Sequence, residues 1–412
     1  MLPASPEPVH LPHQWVLRPL CETDHNRLST EATQAITGDL TDTLPDPDNI
    51  LRSGATGMRL NRENEQMSEP RYRSGIIGLG FIGGADQVSG DALGQTVSGL
   101  DGTHYYSHAS HPRVDLICGS SRDAGRRHRF EERAGVHTYA DWVAMLDAEQ
   151  FDIVSVATYA PQHAEMVIAC AEKGVRAILC EKPIATTVAD ADRMVAACEK
   201  TGSLLVINHQ RRFNLGHRRL RQLIADGGLG TLTSLSTEWP GGRLGNVGTH
   251  MFDAMQMVIS QPAQAVTGIL DLAGKPDCRG PGFADPGGWG MIRFAGDLLG
   301  MVEASDYGFA DGSMTIIGSE GRASIAGGSI ALSFRNGTSE NWPPDADMSG
   351  MDRIVCEIVD YLDGAGDFAY DVNEAVRTLE AIAAFHVSHA RGGAWVQLPL
   401  AGDERTTIVN SG

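Results

Sequence analysis

In the stretch RSGIIGLGFIGG (73–84) an apolar run gives way to three glycines, Gly78, Gly80 and Gly83, in G-x-G-x-x-G spacing. The spacing constrains the fold because each glycine has its own task. The first permits a tight turn off a strand, the second lets backbone approach a pyrophosphate, and the third allows a helix to pack close to the strand. Phe81 and Ile82 lie inside the turn and are expected to border the same ligand. In a chain with 48 glycines such spacing arises by chance, so its weight depends on the pattern downstream of it. Short apolar runs recur there at VDLICGSS (114–121), FDIVSVAT (151–158), RAILCEKP (176–183) and SLLVINHQ (203–210). Helical stretches separate them, such as AEMVIACAEKG (164–174) and VADADRMVAACEKTG (188–202), the latter closing on a helix-ending glycine. Continuous apolar strands alternating with helices predict an α/β chain whose first domain is a doubly wound parallel sheet, a Rossmann domain.

After residue 211 the rhythm changes to alternating strands broken by glycine turns, as in LTSLSTEW (232–239) and QAVTGILDLAG (264–274), with helices expected near 353–362 and 374–391. This predicts an α+β domain with an open, mostly antiparallel sheet. Residues 1–70 mix Pro, Asp, Thr, Asn and Arg without a sustained period and are expected to form a disordered tail, with Met67 a candidate alternative start. The division is therefore a tail over 1–70, a doubly wound (Rossmann) domain over 71–210 and an α+β domain over 211–412, to which the family resemblance described below assigns substrate binding and oligomerisation. An insertion of loop composition, 85–103, interrupts the first domain just after the glycines. It is either a tolerated surface excursion or a flap over a ligand at the carboxyl ends of the strands.

Composition excludes several classes of function. The formal charge of −19 repels nucleic-acid phosphates and anionic membranes. No run approaches the roughly 18 apolar residues of a membrane span, and the start carries prolines and histidines where a secretory signal needs an apolar core. Seven cysteines, odd in number and never in C-x-x-C spacing, read as reduced thiols of a cytoplasmic protein with no metal site. At the end of the second strand, GSSRD offers Ser120, Ser121 and Arg122 where an NAD-selective site carries a carboxylate for the ribose hydroxyls. Hydroxyl and guanidinium groups bind a ribose phosphate by charge-assisted hydrogen bonds, so NADP is favoured over NAD. Alternatively, Arg122 merely opens a solvated helix beside Asp123.

The segments GIIGLGFIGG, ATYAPQHAEMVIACAEKGVRAILCEKP, INHQRRFN and GNVGTHMFDAM, in this order, resemble the Gfo/Idh/MocA family of oxidoreductases, named for glucose-fructose oxidoreductase and inositol dehydrogenase. The resemblance runs from about residue 72 to the end of the chain. It implies a homodimer or homotetramer whose open sheet meets the nicotinamide. It also implies that Lys182, from the E-K-P motif, sits beside the reacting carbinol, that Glu181 fixes the loop near the nicotinamide ribose, and that Pro183 stiffens it. Thr158, Tyr159, Pro161, His163 and Arg212 are carried over as cofactor-side residues, although each could equally be loop structure.

If GNVGTHMFDAM starts a helix, Asn246, His250 and Asp253 fall at i, i+4 and i+7 on one face. His250 is the candidate proton acceptor, since an imidazole titrates near working pH; it could instead be a core or capping histidine. Many family members carry Asp where this chain has Asn246, so a substrate-orienting role is expected there rather than a proton relay. The resulting expectation is an NAD(P)-dependent interconversion of a secondary alcohol and a ketone on a sugar, cyclitol or related ring. The alternatives are a glycosidase or epimerase with transient oxidation, and a non-catalytic sugar sensor on the same fold.

Overall fold

The structure is a computed structural model that describes residues 70–88, 102–274, 283–309 and 312–411. The expected tail up to residue 69 and the middle of the insertion, 89–101, lie outside the described residues. So do Cys21 and Cys278, whereas Cys118, Cys170, Cys180, Cys198 and Cys356 are free thiols.

The first domain alternates strand and helix. In chain order it comprises β1 (Tyr72–Ile77), α1 (Phe81–Gly84), α2 (His104–Ser110), β2 (Val114–Ser120), α3 (Ala124–Ala134), β3 (His137–Tyr139), α4 (Trp142–Ala148), β4 (Ile153–Val156), α5 (His163–Glu172), β5 (Ala177–Cys180), α6 (Val188–Thr201) and β6 (Leu204–Ile207). The six strands are parallel in the order β3-β2-β1-β4-β5-β6, so the order reverses beside β1. Every residue of β4 and β5 is buried, which is why those strands read as unbroken apolar runs. Helix ends follow local chemistry. The Thr187 side chain caps α6 by accepting from Asp190 N, and Gly202 ends it in the left-handed conformation at φ 75°.

The second domain holds more helix than its sequence suggests. It comprises α7 (Leu215–Ala225), β7 (Leu232–Glu238), α8 (Thr249–Ile259), β8 (Ala265–Asp271), β9 (Gly287–Arg293), β10 (Leu299–Ala304), β11 (Ser313–Gly318), β12 (Gly321–Ala326), β13 (Ser329–Phe334), β14 (Ser339–Trp342), α9 (Gly350–Leu362), α10 (Asn373–Ala390) and β15 (Val396–Gln397). Its sheet runs β14-β13-β12-β11-β7-β10-β9-β8-β15 and is antiparallel except for the β7–β10 pair. Helices α8 and α10 cover one face. Phe385 of α10 lies directly on the sheet because Gly268 and Gly290, paired across β8 and β9, leave room for its ring. A Cβ at either position would come within 2.4 or 2.5 Å of that ring. The opposite face of β8, β9 and β10 leaves large apolar side chains exposed among the described residues.

Among the described residues no helix is long and apolar enough to cross a membrane, and no group of three His, Cys, Asp or Glu side chains could hold a metal ion.

Candidate active site

A cavity of about 790 Å³ opens at the carboxyl ends of β1, β2, β4 and β5 and extends to the start of α8. Its first wall is the glycine turn. Gly78 has φ +99°, and a Cβ there would stand 2.5 Å from the Ala157 carbonyl oxygen. Gly83 packs so closely on the strand that a Cβ would fall 1.9 Å from the Gly78 oxygen. Gly83 therefore shapes the turn from behind, while Gly78, Gly80, Phe81 and Ile82 border the space. The turn presents backbone and no side chain at Gly80, which suits close approach of a diphosphate.

Ser120, Ser121 and Arg122, at and just beyond the end of β2, form the next wall together with Asp123 and Arg126. The Ser120 hydroxyl is buried with no partner among the described residues, an orphaned polar atom at a wall where a ribose would need one. The Asp123 carboxylate is committed to capping α3, accepting from Arg126 N at 2.8 Å. Ala140, Asp141 and Trp142 complete this end. The described stems of the insertion stand close by. The Asp86 carboxylate, fully buried, binds the Arg129 guanidinium at 2.9 and 2.7 Å, and Thr103 caps α2. These residues fit a dinucleotide: a side-chain-free turn at its centre, with a hydroxyl and guanidinium groups at one end.

At the other end the two domains meet. Lys182, just past β5, sends its Nζ to Asn246 Oδ1 at 2.5 Å and to the Asn246 carbonyl at 3.1 Å. Asn246 lies in a single π-helical turn, Leu244–Gly248, whose N–H groups at Gly245 and Asn246 both donate to Asp285 at 2.8 Å. His250 follows in α8 and faces the same space. Burial, then the positive charges of Lys182 and Arg211, hold its imidazole well below the usual histidine range, so the ring is neutral and a weaker base than an unperturbed imidazole. Its Nδ1 has no partner among the described residues. Glu181 is 8% exposed on the cavity wall. Burial alone would raise its carboxyl, but the hydrogen bond from His104, the charge of Lys182 and the hydrogen bond from Asn208 hold it below the usual carboxylate range. Thr158 and Tyr159 line the wall after β4, with the Tyr159 ring 5.7 Å from that of Phe283.

Four residues expected at the ligand or on the His250 face do not line the cavity. Pro161 is the second residue of the short turn Ala160–Gln162 that leads into α5. His163 is fully buried, its ring nitrogens 3.0 Å from the carbonyls of Thr158 and Pro183, one of which accepts its N–H, so it sits between two cavity loops from behind. Arg212 is 5% exposed and bound to Asp253 and Glu374, with its guanidinium over the Tyr370 ring. Asp253, three residues beyond His250 in α8, does not line the cavity. Asp253 instead points inward to Arg212 and to His209 Nδ1 at 3.2 Å. Residues that the sequence alone did not single out also line the cavity: Trp142, Gln162, Met166, Asn208, Gln210 and Ser411. Trp142 alone carried a local signal, an aromatic at a helix start directly after a capping Asp141.

A parallel sheet with its glycine turn at the point of reversal, whose cavity reaches the π-turn and helix start of a second, mostly antiparallel domain, defines a two-domain Rossmann-fold protein. The chain belongs to the Gfo/Idh/MocA family. The oxidoreductase-family NAD-binding Rossmann model matches residues 72–209, and the Gfo/Idh/MocA C-terminal domain model matches 235–324. D-apiose dehydrogenase of Paraburkholderia graminis is 32% identical over 39% of this chain and 38% of its own length. Myo-inositol 2-dehydrogenase of Thermotoga maritima is 26% identical over 61% of this chain and 74% of its own. The chain thus spans well under half of the apiose dehydrogenase it matches. Among solved structures, the WlbA dehydrogenase of Bordetella pertussis in complex with NADH and UDP-GlcNAcA superposes with a TM-score of 0.66 at 20% identity, covering 81% of this chain and 100% of that one. An Azotobacter vinelandii inositol dehydrogenase homologue complexed with NADH and myo-inositol gives 0.67 at 18% identity, covering 80% and 98%.

The depressed basicity of His250 has a direct readout. In histidine-labelled protein its ring, assigned with His250→Ala, is expected to stay neutral as pH falls through 6.5 and to protonate only well below it. A midpoint at or above 6.5 in an NMR titration would contradict the electrostatics described.

Proposed function

We propose that the protein is an NAD(P)-dependent oxidoreductase that interconverts a secondary alcohol and a ketone on a sugar, cyclitol or related ring. The observation that carries this reading is the meeting of Lys182, Asn246 and a neutral His250 at one end of a cavity whose other end is a glycine turn. The bound nicotinamide would supply the hydride acceptor in one direction and the donor in the other. His250 takes the hydroxyl proton during oxidation and returns it during reduction. Lys182 stabilises the oxygen as its negative charge develops, and Asn246 aims the ammonium by accepting from it. The names of the relatives, among them apiose and inositol dehydrogenases, support a polyhydroxylated ring as substrate.

NADP is the preferred cofactor in this reading. Ser121, Arg122 and Arg126 border the end suited to the adenosine ribose, and the carboxylate adjoining Arg122 in sequence is occupied in capping α3. The experiment is a panel of sugars, inositols and other cyclic polyols scored by reduced-cofactor absorbance, run with NAD and NADP and repeated with Arg122→Ala. A charged hydrogen bond is worth about 1.5–3 kcal/mol, so the variant should bind NADP roughly ten- to a hundredfold more weakly and NAD nearly unchanged. Equal loss for both cofactors would remove the phosphate-reading role. Absence of turnover with every polyol would count against the dehydrogenase itself.

The protein in this reading is also a homo-oligomer, assembled through the exposed sheet face with a second copy of the chain as partner. Ile269 and Trp289 are paired across β8 and β9, Met291 and Met301 across β9 and β10, and Leu299 adjoins them. These side chains are 38–50% exposed on one flat surface, an apolar patch that would be costly to leave in water. A flat patch also suits self-pairing about a two-fold axis. Sedimentation of the wild type should give a dimer or tetramer, and Met301→Glu should shift it toward monomer. A monomeric wild type would refute this assembly.

A further inference from the structure

Helix α2, which begins directly after the insertion, carries two histidines one turn apart, and both are fully buried against the sheet. His104 Nδ1 lies 2.8 Å from Ser155 Oγ of β4, and the same hydroxyl lies 2.9 Å from His108 Nε2. On the far side of the ring, His104 Nε2 stands 3.0 Å from Glu181 Oε1. Asn208 donates to that oxygen at 2.5 Å, and the Lys182 backbone N–H donates to Glu181 Oε2 at 3.2 Å. A continuous buried path therefore leads from His108 to the carboxylate on the cavity wall and to the backbone of the lysine beside it.

Donor and acceptor counting gives the path a direction. An ionised carboxylate only accepts, so His104 Nε2 carries a proton. The Ser155 hydroxyl has a single proton for two ring nitrogens. If His108 Nε2–H donates to Ser155 and Ser155 donates to His104 Nδ1, every donor is used, and the atom left without a partner is a lone pair on His108 Nδ1. In the reverse direction His104 becomes doubly protonated and His108 Nδ1–H is a buried donor with no acceptor among the described residues. Buried unpaired N–H groups are rare because their desolvation is uncompensated, so the first arrangement is favoured. The path also ends inside the protein, since His108 has no exposed surface. Among the described residues it has no exit to solvent. Its effect is to fix a carboxylate.

Resting on the dehydrogenase reading above, we propose that His108, Ser155 and His104 form a directed hydrogen-bond chain that holds the Glu181 carboxylate in place on the cavity wall, making His104 and Ser155 positioning residues for the oxidised cofactor and for Lys182. Ionised and immobile, Glu181 offers a fixed negative charge on the wall of a cavity that would receive the cationic nicotinamide ring. It also anchors the backbone from which the Lys182 ammonium extends to Asn246. A carboxylate free to rotate would do neither.

Two measurements test the proposal. In histidine-labelled wild-type protein with NADP bound, nitrogen shifts should report both His104 and His108 as Nε2–H tautomers. A doubly protonated His104 or an Nδ1–H His108 would overturn the direction of the chain. His104→Leu and Ser155→Ala should then weaken binding of the oxidised cofactor, followed by Trp142 fluorescence, and lower kcat with little change in substrate KM. The loss expected from one hydrogen bond to a charged group is roughly ten- to a hundredfold. His104→Gln, whose amide can still donate to Glu181, should recover part of it. If folded His104→Leu and Ser155→Ala bind oxidised cofactor and turn over like the wild type, the chain is packing and the proposal is wrong. If the wild type oxidises no polyol, the dehydrogenase reading fails by itself, while the tautomers and the cofactor affinities still decide the chain.

Discussion

The contact between the Lys182 ammonium and Asn246 joins the two halves of the site. The lysine leaves the end of a parallel strand in one domain, and the asparagine belongs to a π-turn at the start of a helix in the other. A cation at this joint needs oxygen partners, because desolvating an ammonium without them is costly. Both oxygens of Asn246 supply them. The π-turn that presents Asn246 is fixed in turn by Asp285, which accepts from two successive N–H groups. Behind it Gly245 has no room for a side chain, since a Cβ would stand 1.9 Å from the Asn410 oxygen. Residues near the end of the chain, with Val409 fully buried and Ser411 on the cavity wall, thus help hold the turn that holds the lysine's partner.

Electrostatics inside the cavity differ from those of the whole molecule. The chain carries a net charge of −19. Among the described residues, the charged ones lining the cavity are Arg122, Arg126 and Lys182 against Asp123, Asp141 and Glu181, three of each sign, so their formal charges cancel. An anionic dinucleotide entering it escapes much of the repulsion that the rest of the surface would impose. The cations also divide between its two ends. Arg122 and Arg126 stand at the end of β2, and Lys182 stands at the domain joint, where its charge helps to keep His250 neutral.

Much of this was legible in the sequence wherever a signal is local. The parallel strands announce themselves because both faces are buried, and the glycine turn because its spacing is dictated by backbone contact. Lys182 and His250 stood out because their motifs, E-K-P and GNVGTHMFDAM, resemble those of the family. Contacts made over long separations were not legible. His104 meets Glu181 across 77 residues, and Arg212 meets Glu374 across 162. Nothing in the neighbourhood of Arg212 distinguishes a core ion pair from a ligand contact. The spacing from Asn246 to Asp253 crosses a π-turn, which changes the angular step of the helix and which no composition rule reveals. The second domain's helix α7 was missed because its arginines hide the apolar stripe that packs on α8.

The central claim is that Lys182 and His250 act as one unit on a substrate alcohol. The most direct test is turnover of Lys182→Ala, His250→Ala and the double variant with the best polyol substrate, with cofactor affinity measured separately. Each single change should lower kcat by about two to four powers of ten. The double variant should be scarcely worse than the poorer single one, since a proton taken by His250 is useful only where Lys182 stabilises the oxygen left behind. Cofactor should still bind in all three. Near-normal turnover in either single variant, with folding and cofactor binding intact, would contradict the account.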